Sequence, residues 1–326
     1  MRAVQLSRFG APEVLEIVEI PTPIPGPGEV LVRVRASGVN FFETLMRQNR
    51  YAVTPELPAI FGVEVAGVIE ALGDGVAPSL LGARVAVPMF AVGRGSGGYA
   101  ERLAIEAASV VPIPDDLSFE DATALMVQGL TALHLVRQSP PAGKTVLVNA
   151  AAGGVGSLLV QLAKRAGAKL VVATASTSEK LDFARSIGAD AGVDYTGPDW
   201  VARVRDATGG AGADIVYELV GGAVTRASID ALAPLGELVF GALGRFDLDA
   251  SDLENMILRN QSLRGFALLP LLTPEVLKSS LVELFELAAS GELKVIQGGR
   301  YPFDQAAEAH RAIEERRTTG KVVLVP

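Results

Sequence analysis

The chain has 326 residues, 49% of them hydrophobic, with 29 Lys and Arg against 37 Asp and Glu for a formal charge of -8, and no cysteine. This length and apolar content support about two domains with sizeable cores and exclude disordered and fibrous classes. The acidic balance disfavours nucleic acid and anionic membrane surfaces as partners, and the lack of thiols rules out disulfides, thiolate nucleophiles and thiolate metal sites.

Met1 to Gly10 lack the apolar core of a signal peptide, and no apolar run approaches the roughly 20 residues that cross a bilayer, so a cytoplasmic protein is expected. Residues 1–121 read as a β-rich unit. In Glu29 to Arg35, Val30, Val32 and Val34 alternate onto one strand face. Pro21 to Gly28, with four prolines and two glycines, is a stiff irregular connection.

From about residue 122 strands and helices alternate. Val146 to Val148 reads as a buried parallel strand, and Val155, Leu158, Leu159, Leu162, Ala163 and Ala166 form the stripe of a helix. Between them, Ala150-Ala-Ala-Gly-Gly-Val-Gly156 must turn tightly. Gly153 and Gly154 let an anion approach the backbone, Gly156 lets the helix lie close on the strand, and the helix-start amides favour phosphate oxygens. Read as G-x-G-x-x-G, the motif has Ala151 in place of the first glycine; its strand-to-helix setting is what points to a dinucleotide.

Further strands are expected at Leu170 to Thr174, near Val193, at Asp214 to Leu219 and at Gly236 to Phe240. Helices are expected over Glu179 to Ile187, from about Asp199, and over Val224 to Leu232. This is an α/β pattern, a doubly wound parallel sheet that binds ligand at the carboxyl ends of its strands. Residues 262–326 return to mixed structure and end in the strand Lys321 to Val325. The expected organisation is therefore a nucleotide domain over 122–261 inserted into a β-rich domain made of 1–121 and 262–326. Ser262 to Leu269 is an apolar run at the sheet end, and a free edge there calls for a symmetry mate, hence a homodimer.

An acid about 20 residues beyond the glycine turn normally marks an unphosphorylated adenosine ribose. Here the strand end reads Val172-Ala-Thr-Ala-Ser-Thr-Ser178 without one. Ser176 donates to a phosphate and Lys180 adds positive charge, so NADPH is the expected cofactor.

Several segments appear together in order: Gly38-Val-Asn-Phe-Phe-Glu-Thr-Leu-Met-Arg47, Phe61-Gly-Val-Glu-Val-Ala-Gly-Val-Ile-Glu70, Gly129-Leu-Thr-Ala132, the Ala150 to Gly156 turn, and Gly320-Lys-Val-Val-Leu324. With these the whole chain resembles the zinc-free, zeta-crystallin-like quinone oxidoreductases of the medium-chain dehydrogenase/reductase superfamily. The resemblance implies a Rossmann domain inserted in a β-rich, GroES-like catalytic domain, a cleft between them, and a homodimer or homotetramer. It also implies cofactor contacts from Asn40 and Thr131 near the nicotinamide and from Ala152, Gly153, Gly154 and Val155 on the pyrophosphate. Ser176, Lys180 and Tyr195 match a 2′-phosphate pocket, while Phe240, Gly241 and Lys321 match residues lining the cleft.

Zinc relatives carry Gly-His-Glu where this chain has Gly62-Val63-Glu64, so no metal site is expected. His134, inside an apolar helix, reads as a partly buried structural residue. His310, among Glu308, Arg311 and Glu314, reads as lying on a solvated face.

Hydride transfer needs positioning, exclusion of water and a donor for the acceptor's developing charge. Asn40 and Tyr51 are the candidate catalytic donors. Relatives commonly have tyrosine where this chain has Leu45, which leaves reduction of an enone, enal or enoyl thioester open beside a quinone. An NADPH-binding structural or sensing role is the alternative of another class; retention of Asn40 and Thr131 argues against it.

Overall fold

The computed structural model describes residues 1–243, 245 and 247–326. Two compact units form, Met1–Leu130 with Leu272–Pro326, and Thr131–Leu271. The second unit is continuous in sequence and interrupts the first.

In chain order the first unit begins with β1 (Arg2–Leu6), β2 (Leu15–Glu19), β3 (Glu29–Val39), α1 (Phe41–Arg47), β4 (Ala59–Ile60), β5 (Val65–Leu72), β6 (Arg84–Val87), β7 (Arg102–Glu106), β8 (Val111–Pro112) and α2 (Phe119–Ala124). A π-helical turn over Leu125–Gly129 follows. The second unit carries α3 (Leu130–Gln138), β9 (Thr145–Val148), α4 (Gly154–Arg165), β10 (Leu170–Ala175), α5 (Ser178–Ser186), β11 (Ala191–Asp194), α6 (Trp200–Ala207), β12 (Ala213–Glu218), α7 (Ala223–Ala231), β13 (Leu232–Phe240), α8 (Ala250–Leu258) and β14 (Ser262–Gly265). The chain then returns through α9 (Pro274–Ala289), β15 (Gln297–Pro302), α10 (Ala306–Glu314) and β16 (Lys321–Val325).

Among the described residues, β3 is the spine of the first unit. It pairs antiparallel with β5, β7 and β16, in a sheet ordered β15-β16-β3-β5-β6-β8. Val30, Val32 and Val34 pack with Ile69, Val85 and Leu103, as the alternation predicts. A second cluster joins Val39, Phe61, Tyr99, Ala306, Ala309 and Leu324. α2 packs on β3 and β5 within this unit.

The second unit is a parallel sheet ordered β11-β10-β9-β12-β13-β14, with every pairing in one direction. Its centre reads as a continuous apolar run because helices cover both faces: Val146, Leu147 and Val148 are all buried. β14 pairs parallel with β13 and so extends this sheet.

His310 corrects one expectation. It is 0% exposed, because α10 turns Ala306, Ala309, His310 and Ala312 inward and leaves Glu308, Arg311 and Glu314 part-exposed. Its Nε2 lies 3.3 Å from the Tyr99 hydroxyl, and the two rings meet edge to face. Burial, with the charge of Arg47, holds its pKa down at about 3, so the ring stays neutral. His134 is buried in α3 as expected, and its pKa is lowered by burial and by Arg137.

Candidate active site

In the second unit the expected cofactor residues gather at the carboxyl ends of the parallel strands. Asn149 follows β9 and is held from both sides. Its Oδ1 accepts from Thr174 Oγ1 and its Nδ2 donates to Ser228 Oγ, each at 2.9 Å. This buried bracket fixes where the following turn leaves the sheet. Ala150 then takes the left-handed region at φ 50°, which L-residues rarely adopt. Gly156 is required sterically: a β-carbon there would sit 2.3 Å from Ala150 O and 2.7 Å from Ala151 Cα. Gly153 is the N-cap of α4, and the amides of Gly154 and Val155 have no hydrogen-bond partner among the described residues. A pyrophosphate fits this turn, since first-turn amides lack intrahelical acceptors and the helix dipole favours negative charge.

One strand over, Ser176 follows β10 and Lys180 lies one turn into α5, where its amide donates to the Thr177 cap. Tyr195 follows β11, and its amide donates to Ala175 O at 3.2 Å. Ser176, Lys180 and Tyr195 thus occupy neighbouring strand ends, with no carboxylate at the end of β10 itself. Phe240 ends β13 and Gly241 follows it, its amide donating to Glu218 O. The buried Glu218 carboxylate folds the adjoining loop by accepting from the amides of Val220 and Gly221 and from the Thr225 hydroxyl. Thr131 lies buried in the first turn of α3. A 600 Å³ depression lined by Lys144, Asp214, Glu237 and Arg264 opens at the opposite, amino-terminal edge, where a doubly wound sheet carries no cofactor.

In the first unit Asn40 sits between β3 and α1 and is only 3% exposed. Glu43, three residues on, accepts from the Asn40 amide at 2.9 Å, one half of a capping box. Its other oxygen accepts from the Gly62 amide at 3.0 Å. The side-chain Nδ2 of Asn40 donates to Glu64 Oε1 at 2.9 Å and to Glu43 Oε2 at 3.2 Å, and its Oδ1 accepts from Lys321 Nζ at 3.0 Å. Lys321 also pairs with Glu64, and the two side chains are 1% and 0% exposed.

Two expectations change here. Asn40 was expected to donate to an acceptor oxygen, but both its N–H groups are committed to carboxylates, so Tyr51 is the remaining donor of the pair. Lys321 was expected to line a cleft, but its ammonium is enclosed by Glu64 and Asn40. Tyr51 lies in the loop after α1, its ring stacked on Phe42 at 5.5 Å between centroids. Glu43, Glu64 and Tyr99 were not singled out by the sequence reading. The signal was present in Asn40-Phe-Phe-Glu43, which has the spacing of an N-cap and its N3 carboxylate. It was present again in Glu64, an acid opening onto the apolar run Val65 to Ile69, where a buried carboxylate requires a counter-charge.

Burial pushes the Glu43 carboxyl up to about 7, reinforced by the charge of Glu64 and opposed by the Asn40 amide and Lys321. The same enclosure, with Glu43 and Glu64 nearby, raises the Tyr99 hydroxyl well above its usual range. A carboxyl whose folded pKa exceeds its unfolded value of 4.5 holds its proton more tightly in the fold, so stability is full below pH 4.5 and declines as pH rises through 7. We expect the stability of the wild-type protein to fall by about 3 kcal/mol from this group between those limits, and Glu43→Gln to flatten that slope. Denaturant unfolding across pH checks this; equal slopes in both proteins would contradict it.

Among the described residues no three His, Cys, Asp or Glu side chains come together in a group suited to a metal ion, and no helix is long and apolar enough to cross a membrane.

An alcohol dehydrogenase GroES-like domain model matches residues 26–115, and a zinc-binding dehydrogenase model matches residues 187–324. The quinone oxidoreductase of Pseudomonas aeruginosa is 37% identical over 100% of this chain and 99% of its own. A 2-haloacrylate reductase of a Burkholderia species is 32% identical over 99% of this chain and 98% of its own. The structure of Escherichia coli quinone oxidoreductase complexed with NADPH superposes with a TM-score of 0.90 at 32% identity, covering 100% of both chains. With its inserted parallel sheet, glycine turn and full-length relatives, the chain belongs to the quinone oxidoreductase branch of the medium-chain dehydrogenase/reductase superfamily.

Proposed function

We propose that the protein is an NADPH-dependent oxidoreductase that passes hydride to a small quinone-type acceptor. The observation that carries this reading is the carboxyl edge of the parallel sheet. There a glycine turn with unpaired helix-start amides stands beside Ser176, Lys180 and Tyr195, and the end of β10 lacks the acid that would repel a 2′-phosphate. The relatives named for quinone reduction, one of them solved with NADPH, agree with it.

When bound, the cofactor supplies the hydride. This chain's residues do the rest. Ala152 to Val155 hold the pyrophosphate, Ser176, Lys180 and Tyr195 the 2′-phosphate, and Asn40, Thr131, Phe240 and Gly241 the nicotinamide end. Tyr51 is the assigned donor to an acceptor oxygen, a contact that a localised enolate requires and a quinone, whose charge is delocalised, can do without. No zinc takes part in this reading, because Val63 stands at the position where zinc relatives place an imidazole.

Lys180→Ala is expected to weaken NADPH by ~1 to 3 kcal/mol and leave NADH nearly unchanged, as a charge-assisted contact to one phosphate requires. Titration with both cofactors checks it; equal loss for both would remove the 2′-phosphate assignment.

A second reading, reduction of an activated carbon–carbon double bond, is favoured by Leu45 in place of the common tyrosine and by the similarity to a haloacrylate reductase. The same proposal includes a homodimer. β14 is an exposed edge strand, and Leu253, Ile257 and Leu258 of α8 are exposed large apolar residues of the same unit. Sedimentation at micromolar concentration should give two subunits; a monomer throughout would contradict it. A cytoplasmic setting, with no nucleic-acid partner, completes the reading.

A further inference from the structure

α1 is fixed at both ends. The capping box of Asn40 and Glu43 closes its first turn. At its last residue the buried Arg47 guanidinium donates to Gly10 O at 2.9 Å and pairs with Glu314 of α10, while the Gly10 amide donates back to Arg47 O at 3.0 Å. A helix of seven residues is not stable by itself, so these ties are what make α1 a rigid support.

The chain leaves α1 through a Schellman turn. Gln48 is the C-cap and Asn49 takes the left-handed region at φ 54°. The Asn49 amide donates to Met46 O at 3.0 Å and the Arg50 amide to Leu45 O at 2.8 Å. Asparagine tolerates that backbone, and here its Oδ1 also accepts from Thr54 Oγ1 at 2.8 Å. The bond closes residues 49–54 into a small loop that contains Tyr51. The Tyr51 ring then lies on Phe42 with the planes 27° apart. Phe42 and Leu45 are neighbours at i, i+3, so one turn of α1 receives both the backbone and the ring of this loop. Both rings are only half-buried, so the stack adds little to a core. What it fixes is the direction of the hydroxyl, since a tyrosine has only two side-chain torsions to lose.

We propose that Phe42 is a positioning residue: by stacking on Tyr51 it aims the phenolic hydroxyl at the enolate oxygen formed from an enone or enal, with the Asn49–Thr54 bond holding the loop in register. Phe42 acts through Tyr51 and touches no reacting atom. The inference rests on the reading of Tyr51 as the donor given above.

Four full-length proteins are compared with an enone and with a quinone: wild type, Phe42→Leu, Tyr51→Phe and the two substitutions together. For each, kcat and KM are measured and thermal unfolding is followed. Phe42→Leu keeps an apolar side chain of good helix propensity and removes the flat ring. It should lower enone kcat by about 10-fold with KM and quinone turnover unchanged, because a misaimed donor loses its effect in the transition state alone. In the Tyr51→Phe background it should cost nothing more. Thr54→Val, which removes the loop-closing bond, should lower enone kcat by about 3-fold, again only while Tyr51 is present. Should Phe42→Leu fail to fold, the same comparison is read from Thr54→Val. Enone and quinone turnover falling together, a loss that persists in the Tyr51→Phe background, or wild-type enone turnover in the folded variant would overturn the proposal. Wild-type enone turnover in Tyr51→Phe, or a wild-type protein that reduces no enone, would instead strike the reading of Tyr51 as donor, and the inference with it.

Discussion

Gly156→Ala is expected to weaken NADPH at least 100-fold and to destabilise the second unit by about 3 kcal/mol. The added methyl would meet Ala150 O at 2.3 Å and Ala151 Cα at 2.7 Å, both backbone atoms that no rotamer change relieves. The turn has little room to adjust, because Ala150 is already in the left-handed region and Asn149 is clamped by Thr174 and Ser228. The start of α4 must therefore shift away from β9 and carry with it the amides of Gly154 and Val155. Each charge-assisted bond to a phosphate oxygen contributes on the order of 1.5 to 3 kcal/mol, so losing two accounts for the affinity change. Gly153 gives an internal control. A β-carbon there would meet only Ala150 O at 3.3 Å, so Gly153→Ala should be much milder for stability. Fluorescence titration of NADPH and thermal unfolding read both effects; a Gly156→Ala protein with wild-type affinity would show that the turn does not hold the cofactor.

Tyr51→Phe should lower turnover of an enone or enal on the order of 100-fold while leaving quinone turnover unchanged, the largest catalytic effect anticipated for a single hydroxyl. Both Asn40 N–H groups face carboxylates, so the test falls on Tyr51, the other residue assigned to the acceptor oxygen. The two acceptors differ in need. Hydride addition to a quinone gives an aromatic diolate whose charge is delocalised, so solvent can protonate it. Addition to the β-carbon of an enone concentrates charge on one enolate oxygen, which requires a fixed donor. The stack on Phe42 holds the ring in both proteins, so substitution removes the hydroxyl without releasing the aromatic platform. Steady-state kinetics with both acceptor classes separate the cases. A 100-fold loss on enones alone assigns Tyr51 to enolate stabilisation; equal rates on enones before and after substitution would remove that role.

The inserted sheet was legible because its signals are local. Val146 to Val148, the 150–156 turn and the Leu158, Leu159, Leu162 stripe each fix backbone geometry within a few residues, and the structure repeats them. The packing of α2 and the pairing of β14 depend on partners distant in sequence, β3 and β13, that no local pattern reveals. The same reason hid the charge cluster. Glu43 and Glu64 read as ordinary members of their own segments and Lys321 as a residue lining the cleft, and their shared contact with Asn40 exists only after β3, β5 and β16 come together. His310 misled for a related reason. Its charged neighbours describe the outer face of α10, while the helical period places His310 with Ala306 and Ala309 on the inner one.

The most direct test is the rate at which the purified, chelator-treated wild-type protein oxidises NADPH and NADH in the presence of a simple quinone. A zinc-independent enzyme with its 2′-phosphate held by Ser176, Lys180 and Tyr195 should oxidise NADPH at an undiminished rate and clearly faster than NADH. Activity abolished by the chelator and restored by zinc, a preference for NADH, or no oxidation with either quinone or enone would contradict the account.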